Sequence, residues 1–206
     1  MRRTKEEAAA TRAQILDAAL RVFSRKGYSG TTLEDVAAEA GVTRGAVYWH
    51  FKGKADLYTA LLQERTAKLG GLYEEALSPG GGRSRSPLAS LERLLIRSLE
   101  YLQEDPAYRA VMELSWFKTE LSPELAAGFQ QKIASTRRLV DMLAELIRAG
   151  IAAGEIAPTL DPHASALAAV SLLTGAMGMY LMDPAMLGSK ATIKRVVQTF
   201  IRGLRA

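Results

Sequence analysis

The sequence of 206 residues contains no cysteine and only two histidines. The lack of cysteine excludes disulfides, thiolate zinc sites and cysteine nucleophiles, and it favours a reducing compartment. The first residues, MRRTKEEAAATR, alternate in charge and offer no apolar core of the length that a signal peptide needs. We therefore expect a cytoplasmic protein that is not exported.

Motifs for catalysis and cofactor binding are also lacking. The sequence has no HExxH, no GxSxG and no glycine-rich loop for phosphate, and His50 and His163 lie far apart on different predicted helices. We therefore expect a protein that is not an enzyme and that uses no metal and no cofactor.

Positive charge is concentrated in the first quarter of the chain. The net charge is +5, and residues 1–54 carry ten Lys and Arg against six Asp and Glu, while the rest carry 17 against 16. This asymmetry indicates a surface that meets an anion, with nucleic acid as the first candidate. An excess of four charges over 54 residues is also compatible with simple scatter.

The chain is predicted to be all-α, because no stretch shows the alternation of a strand bounded by hairpin turns. Four short polar residues precede proline and can cap helices, at Asp105-Pro106, Ser122-Pro123, Asp161-Pro162 and Asp183-Pro184, although the last can simply mark a turn. The segment SPGGGRSRSP, residues 78–87, is expected to be a flexible connection. We predict about nine helices: 4–26, two short ones within 31–51, then 54–77, 88–104, 106–118, 123–153, 162–182 and 189–204.

Residues 31–51 have the pattern of a helix-turn-helix. This motif needs a small residue at the helix crossing, a residue that tolerates left-handed backbone at the turn, and apolar anchors under the second helix. Thr32 can cap the first helix and Thr43 the second, which leaves a second helix of about seven residues. The required positions are occupied in turn by Ala37, Gly41, Val42 and Val47.

The second helix is expected to turn one face outward. If Val47 points inward, a step of about 100° per residue places Gly45 and Trp49 on the opposite side, flanked by Ala46 and Tyr48. Glycine in the middle of a helix costs about 1 kcal/mol relative to alanine, and close approach of this face to a base pair would explain it. The alternative interpretation of Trp49 is that it is an aromatic residue of the core.

Several side chains on or near this face suit DNA. Arg44 can donate a forked pair of hydrogen bonds to guanine, and Ala46 can contact a thymine methyl group. His50 can instead simply end the helix, and Lys54 can be a solvated lysine at the start of the next one. Donors suited to phosphate, which set register without reading sequence, are carried by Thr32, Thr43, Tyr48, His50 and Lys54.

The segment 162–182 contains no Lys, Arg, Asp or Glu. Its 21 residues are about the length that spans a bilayer, so a membrane helix is one alternative. Polar residues, glycine and much alanine favour instead the centre of a bundle or the contact between two subunits. Gly175 and Gly178 would let another helix approach closely. We expect no membrane segment.

The stretch from Lys5 to Leu57, with GVTRGAVYWHF followed by KADL, resembles the N-terminal DNA-binding domain of the TetR family of repressors, and within it the AcrR and TtgR type that controls drug-efflux genes. The resemblance implies a recognition helix with Arg44, Gly45, Ala46, Tyr48 and Trp49, and phosphate contacts from Thr32, Thr43, Tyr48, His50 and Lys54. We expect a DNA-binding domain over 1–54 and an effector-binding and dimerisation domain over 55–206.

The resemblance further implies a homodimer, built on helices 162–182 and 189–204, that leaves a palindromic operator in double-stranded DNA when a small hydrophobic effector binds. A DNA-binding protein without effector control, constitutive or architectural, is the alternative. The effector is expected to contact residues on four helices, namely Leu94, Ser98, Met112, Ser115, Trp116, Phe117, Met142, Leu143, Val170, Leu173, Thr174 and Met177. For any single one of these residues plain core packing is the alternative, and it is the more common role of methionine and aromatic residues at helical spacing.

Overall fold

The computed structural model describes residues 4–77, 86–120 and 122–206. Over these ranges the chain forms ten α-helices and one 3-10 turn, without β-strands, which confirms the all-α prediction. The helices are α1 Lys5–Lys26, α2 Leu33–Ala40, α3 Arg44–His50, α4 Lys54–Leu77, α5 Pro87–Glu104, α6 Pro106–Phe117, α7 Ala126–Ala152, α8 Pro162–Met182, α9 Pro184–Leu187 and α10 Lys190–Leu204.

Local capping signals set most of the helix ends. Thr4 and Glu7 form a reciprocal capping box at the start of α1, and Gly27, at φ 70°, ends the helix. Ser86 caps α5 and Asp161 caps α8, each with proline at the first helical position. In each of these caps, the residues that bond to each other lie within a few positions of one another in the sequence.

Two predicted details differ from the structure. The helix expected over 123–153 begins as a 3-10 turn, Pro123–Leu125, and Ser122 makes no capping hydrogen bond with its side chain. Asp183 accepts a hydrogen bond from the Ala185 N–H and caps the four-residue α9. From the sequence, a simple turn was the alternative at this position. Residues 78–85 of the predicted flexible connection lie outside the described residues.

The first of two compact units comprises Met1–Ala67 and Ala107–Phe129. Its core contains an aromatic cluster in which the rings of Phe23, Tyr28 and Tyr58 lie 5.0 to 5.9 Å apart between centroids. Val111 and Leu114 of α6 are fully buried in the same core. The first unit therefore includes a segment distant in sequence from its helix-turn-helix.

Hydrogen bonds attach this later segment to the earlier one. The Tyr28 N–H donates to the Lys118 carbonyl at 2.9 Å, and the Tyr58 and Thr119 hydroxyl oxygens lie 2.9 Å apart. The Lys118 ammonium donates to the Ser24 carbonyl at 2.8 Å. The end of α6 is thus bound to the backbone that precedes α2.

The second unit comprises Lys68–Pro106 and Gln130–Ala206, and α5 lies within it. This helix packs against both α8 and α10. The Glu155 carboxylate accepts hydrogen bonds from the Ser86 hydroxyl at 2.7 Å and the Leu88 N–H at 2.9 Å, which ties the start of α5 to the loop after α7. The buried leucines of α5 are Leu88, Leu91, Leu94, Leu95, Leu99 and Leu102.

Helix α8 is the one helix among the described residues that is long and apolar enough to cross a membrane by length and composition. Only 39% of its most apolar window is buried within the chain.

The predicted functional division at residue 54 cuts the chain differently from the two compact units and stays a prediction.

Candidate nucleic-acid interface

Helices α2 and α3 form the predicted helix-turn-helix. Thr32 accepts a hydrogen bond from the Asp35 N–H and Thr43 from the Ala46 N–H, each with its side-chain oxygen. Between the helices Gly41 adopts left-handed backbone, φ 64° and ψ 31°, and a side chain there would be strained. The Val42 N–H donates to the Ala37 carbonyl at 3.0 Å and closes the turn.

Helix α3 is anchored by one side and open on the other. Val47 is fully buried, and Phe51, one turn further, is 2% exposed. On the opposite side Trp49 is 73% exposed and Tyr48 46% exposed. Gly45 is exposed and Ala46 is half-buried. The predicted outward face is therefore present, and Trp49 is not a core residue.

No contact within the protein explains why residue 45 is a glycine. A Cβ atom built on it would meet nothing nearer than the Thr43 hydroxyl oxygen, at 3.9 Å, which is ordinary van der Waals contact. Packing inside the protein thus leaves room for a side chain that the residue lacks. Close approach of a partner to the outward face would explain a glycine here, and this role of Gly45 stays a prediction.

Arg44 begins α3 and makes three contacts on this face. Its guanidinium lies 2.6 Å from a Glu34 carboxylate oxygen, donates to the Tyr48 hydroxyl at 3.2 Å, and sits over the Tyr48 ring at 5.3 Å from the centroid. The Tyr48 hydroxyl and the Glu34 carboxylate raise the pKa of Arg44 above its ordinary value.

His50 and Lys54 stand at the end of α3 and the start of α4. The His50 ring lies edge-on to Trp49, with 4.5 Å between ring centroids. The Lys54 ammonium donates to the Tyr28 carbonyl at 3.2 Å and lies 4.6 Å from the centroid of the Tyr28 ring. Lys54 is therefore oriented by the aromatic cluster and is not a freely solvated lysine.

Two contact residues were missed from the sequence. Glu34 meets Arg44 across the turn, ten positions away, and Tyr28 meets Lys54 across 26 positions. No rule based on helical spacing connects such pairs, because they depend on how three helices and a loop pack together.

The twelve residues predicted to contact an effector fall in both compact units. In the second unit Leu94, Ser98, Leu143 and Leu173 are buried, Met142, Val170 and Met177 are half-buried, and Thr174 is exposed; in the first unit Met112, Ser115 and Trp116 are half-buried and Phe117 is exposed. The Ser98 hydroxyl donates to the Leu94 carbonyl at 2.7 Å and needs no ligand to be satisfied. Their role in binding stays a prediction.

A cleft of about 600 Å³ is present in the second unit. None of its lining residues is among the twelve predicted ones; they are Lys68, Arg97, Tyr101, Glu104, Asp105 and Pro106. Their charges are largely paired, as in the ion pairs of Arg97 with Glu100 and Glu104. Among the residues that the structure describes, no group of His, Asp and Glu side chains could hold a metal ion.

Comparison with known proteins identifies the family. Residues 15–61 match the model of bacterial regulatory proteins of the tetR family, and residues 86–206 match that of the C-terminal region of MAATS-type transcriptional repressors. The chain belongs to the TetR family. It is therefore a DNA-binding transcriptional regulator, and its helix-turn-helix lies within the residues that match the tetR-family model.

The relatives of this TetR-family regulator include repressors of drug-efflux systems. TtgR of Pseudomonas putida is 34% identical over 209 residues, which cover 100% of this chain and 96% of TtgR. The structure of NalD, the secondary repressor of the MexAB-OprM multidrug efflux pump in Pseudomonas aeruginosa, has a TM-score of 0.86 at 29% identity and covers 98% of both chains. A complex of SmeT with triclosan has a TM-score of 0.81 at 26% identity, over 96% of this chain and 92% of SmeT. SmeT is the repressor of the SmeDEF multidrug efflux pump of Stenotrophomonas maltophilia.

We predict opposite effects of Gly45→Ala on folding and on DNA binding. The added methyl group meets open space and removes the entropic cost of glycine, so the free energy of unfolding should rise by about 0.5–1 kcal/mol. The same methyl group should weaken binding to a preferred DNA duplex, because it holds the outward face away from the base pairs. Urea unfolding and fluorescence anisotropy measure the two effects.

The matched control for this variant is Gly70→Ala. Gly70 is also an exposed helical glycine with open space around its Cβ position, but it belongs to α4 and not to the helix-turn-helix. This substitution should stabilise the protein and leave DNA binding unchanged. Equal DNA binding by Gly45→Ala and the unmodified protein would show that no partner approaches Gly45 closely.

Proposed function

We propose that the protein is a cytoplasmic, homodimeric repressor that holds a palindromic operator with α3 of each copy and releases it when a small hydrophobic effector binds. The observation that carries this proposal is the outward face of α3, where Gly45, Tyr48 and Trp49 are exposed opposite the buried Val47. A short helix with this exposure, held by a preceding helix, is the arrangement that enters a major groove.

The contacts proposed for each half-site divide into two classes. Arg44 reads guanine and Ala46 contacts a thymine methyl group, while Gly45 permits the close approach. Trp49 extends the apolar part of the surface. Phosphate oxygens, which fix the register, are bound by Thr32, Thr43, Tyr48, His50 and Lys54.

Helix α8 supports the proposal of a homodimer. Its exposed stripe carries no charged side chain, and large apolar residues on it are strongly exposed: Leu167 is 47%, Met179 50% and Met182 64% exposed. A face of this composition is stabilised by burial against another apolar surface. We propose that this stripe, together with α10, meets its equivalent in a second copy. Dimerisation on these helices would leave α8 outside any membrane.

Effector control is proposed from the relatives. NalD and SmeT are repressors of multidrug efflux pumps, and SmeT forms a complex with triclosan, a small hydrophobic molecule. By analogy, this regulator controls genes for efflux and responds to a compound of that class. Under this proposal residues 1–54 bind DNA, residues 55–206 bind the effector and form the dimer, and the protein catalyses no reaction.

We predict that Arg44→Ala keeps the fold but loses sequence preference. Arg44 is exposed, so its removal leaves the core intact. A preferred duplex is first selected from a randomised DNA library with the unmodified protein, and its affinity is compared with that of a scrambled duplex. Loss of a bidentate contact with guanine should lower this affinity ratio by about 5- to 150-fold per half-site. Arg148→Ala, which removes an exposed charge from α7, is the control, and an unchanged ratio for Arg44→Ala would refute the reading role.

We predict that Leu167→Glu gives a monomer. The substitution places a carboxylate on the exposed apolar stripe of α8, where dimerisation would bury it without a partner. Sedimentation should show the mass of one chain for this variant and of two chains for the unmodified protein. Phe129→Glu, at an exposed apolar residue of α7, should stay dimeric. A dimeric Leu167→Glu protein would place the subunit contact elsewhere.

We predict that triclosan stabilises the protein and releases it from the selected duplex. At a concentration of about 100 times its Kd, a ligand that binds only the folded state adds about 2.7 kcal/mol of stability, and Tm rises by about 5–10 °C in a chain of this size. Glucose at equal concentration is the polar control. If neither triclosan nor a panel of hydrophobic drugs, dyes and fatty acyl compounds changes Tm or DNA binding, the protein is a constitutive DNA-binding factor.

A further inference from the structure

Arg44 is held in a defined position by contacts within the helix-turn-helix. Its guanidinium contacts the Glu34 carboxylate at 2.6 Å and the Tyr48 hydroxyl at 3.2 Å, and it covers the Tyr48 ring. We call Glu34 and Tyr48 the Arg44 clamp. A long side chain that is free in solution loses most of its rotamer freedom when it binds, and the clamp removes part of that loss in advance.

Both members of the clamp stand on rigid supports. Glu34 is the second residue of α2, whose start is fixed by the Thr32 capping box and by Leu33, a core residue that is 7% exposed. Tyr48 lies one helical turn after Arg44 on α3, and the adjacent Val47 is fully buried. The position of the guanidinium is therefore fixed relative to the backbone of the helix-turn-helix. It does not depend on the flexible Arg44 side chain alone.

The clamp leaves enough donors for base reading. A guanidinium carries five N–H groups, and a bidentate contact with guanine uses two of them. Glu34 accepts from one terminal nitrogen of Arg44 and Tyr48 accepts from the other, so three N–H groups remain. Arg44 can thus contact a base while both clamp contacts persist.

The charge of Glu34 works against DNA binding in general. Its carboxylate is exposed on the face that is proposed to meet DNA, where it repels phosphate whatever the sequence. A contribution to affinity for all DNA therefore cannot explain its contact with Arg44. A contribution to the orientation of Arg44 can explain the contact. A correctly oriented Arg44 strengthens binding only to sequences that place guanine under it.

We propose that Glu34 is a positioning residue that sets the sequence preference of this regulator by holding Arg44 for base readout. This inference rests on the proposed function, in which Arg44 reads a base. Tyr48 completes the clamp, and it has a separate proposed contact with phosphate, so the role of the clamp is tested at Glu34.

The test compares Glu34→Gln with Glu39→Gln. Both variants remove one negative charge from α2, but Glu39 pairs with Arg21 and Arg25 and does not contact Arg44. The selected and scrambled duplexes are titrated at constant salt. For Glu34→Gln the affinity ratio should fall about three- to tenfold, because Arg44 is less well oriented, while affinity for the scrambled duplex does not fall. For Glu39→Gln the ratio should stay the same.

A second variant, Glu34→Asp, separates charge from position. It keeps the carboxylate but draws it back by one methylene, so the ratio should fall while affinity for the scrambled duplex stays as in the unmodified protein. Thermal unfolding monitors the fold of each variant. An unchanged or higher ratio for Glu34→Gln, or an equal fall for Glu39→Gln, would overturn the inference.

The double variant Glu34→Gln with Arg44→Ala distinguishes the two levels of the proposal. If Glu34 acts through Arg44, its substitution changes the ratio no further once Arg44 is alanine. If Arg44→Ala alone lowers the ratio and Glu34→Gln does not, only the positioning role fails. If Arg44→Ala leaves the ratio unchanged, the reading role itself fails, and the positioning role fails with it.

Discussion

The burial of Val47 is the contact on which the candidate interface depends. A helix of seven residues has no independent stability in water, because the cost of nucleation is not recovered over so few hydrogen bonds. α3 persists because Val47 is fully buried and Phe51 nearly so, while Thr43 caps its first turn. Once Val47 points inward, the geometry of the helix leaves Gly45 and Trp49 no direction except outward.

The parts of the structure that could be predicted from the sequence are those with local causes. The caps at Thr4, Thr32 and Thr43 and the left-handed turn at Gly41 each involve residues within four positions of one another. The outward face of α3 could be predicted equally well, because the buried Val47 and the fixed rotation per helical residue determine it. The four-residue α9 was too short to give a periodic pattern.

The contacts that the sequence did not reveal are those between distant segments. Tyr28 and Lys118 are 90 positions apart, yet the backbone hydrogen bond between them places the end of α6 in the core that supports the helix-turn-helix. Tyr28 in turn orients Lys54, which is proposed to bind phosphate. Tyr28 is therefore the residue that contacts both the end of α6 and the start of α4.

Symmetry makes small effects at this surface large. In a dimer that binds two equal half-sites, each substitution acts twice, and independent effects on free energy add, so their factors multiply. A threefold effect at one half-site becomes about ninefold for the operator as a whole. Exposed contacts such as that between Glu34 and Arg44 are weak when they stabilise a fold, because water competes for both charges. In the proposed complex the same contact has more influence on sequence preference, because that preference would depend on the orientation of one guanidinium at each of two half-sites about 34 Å apart.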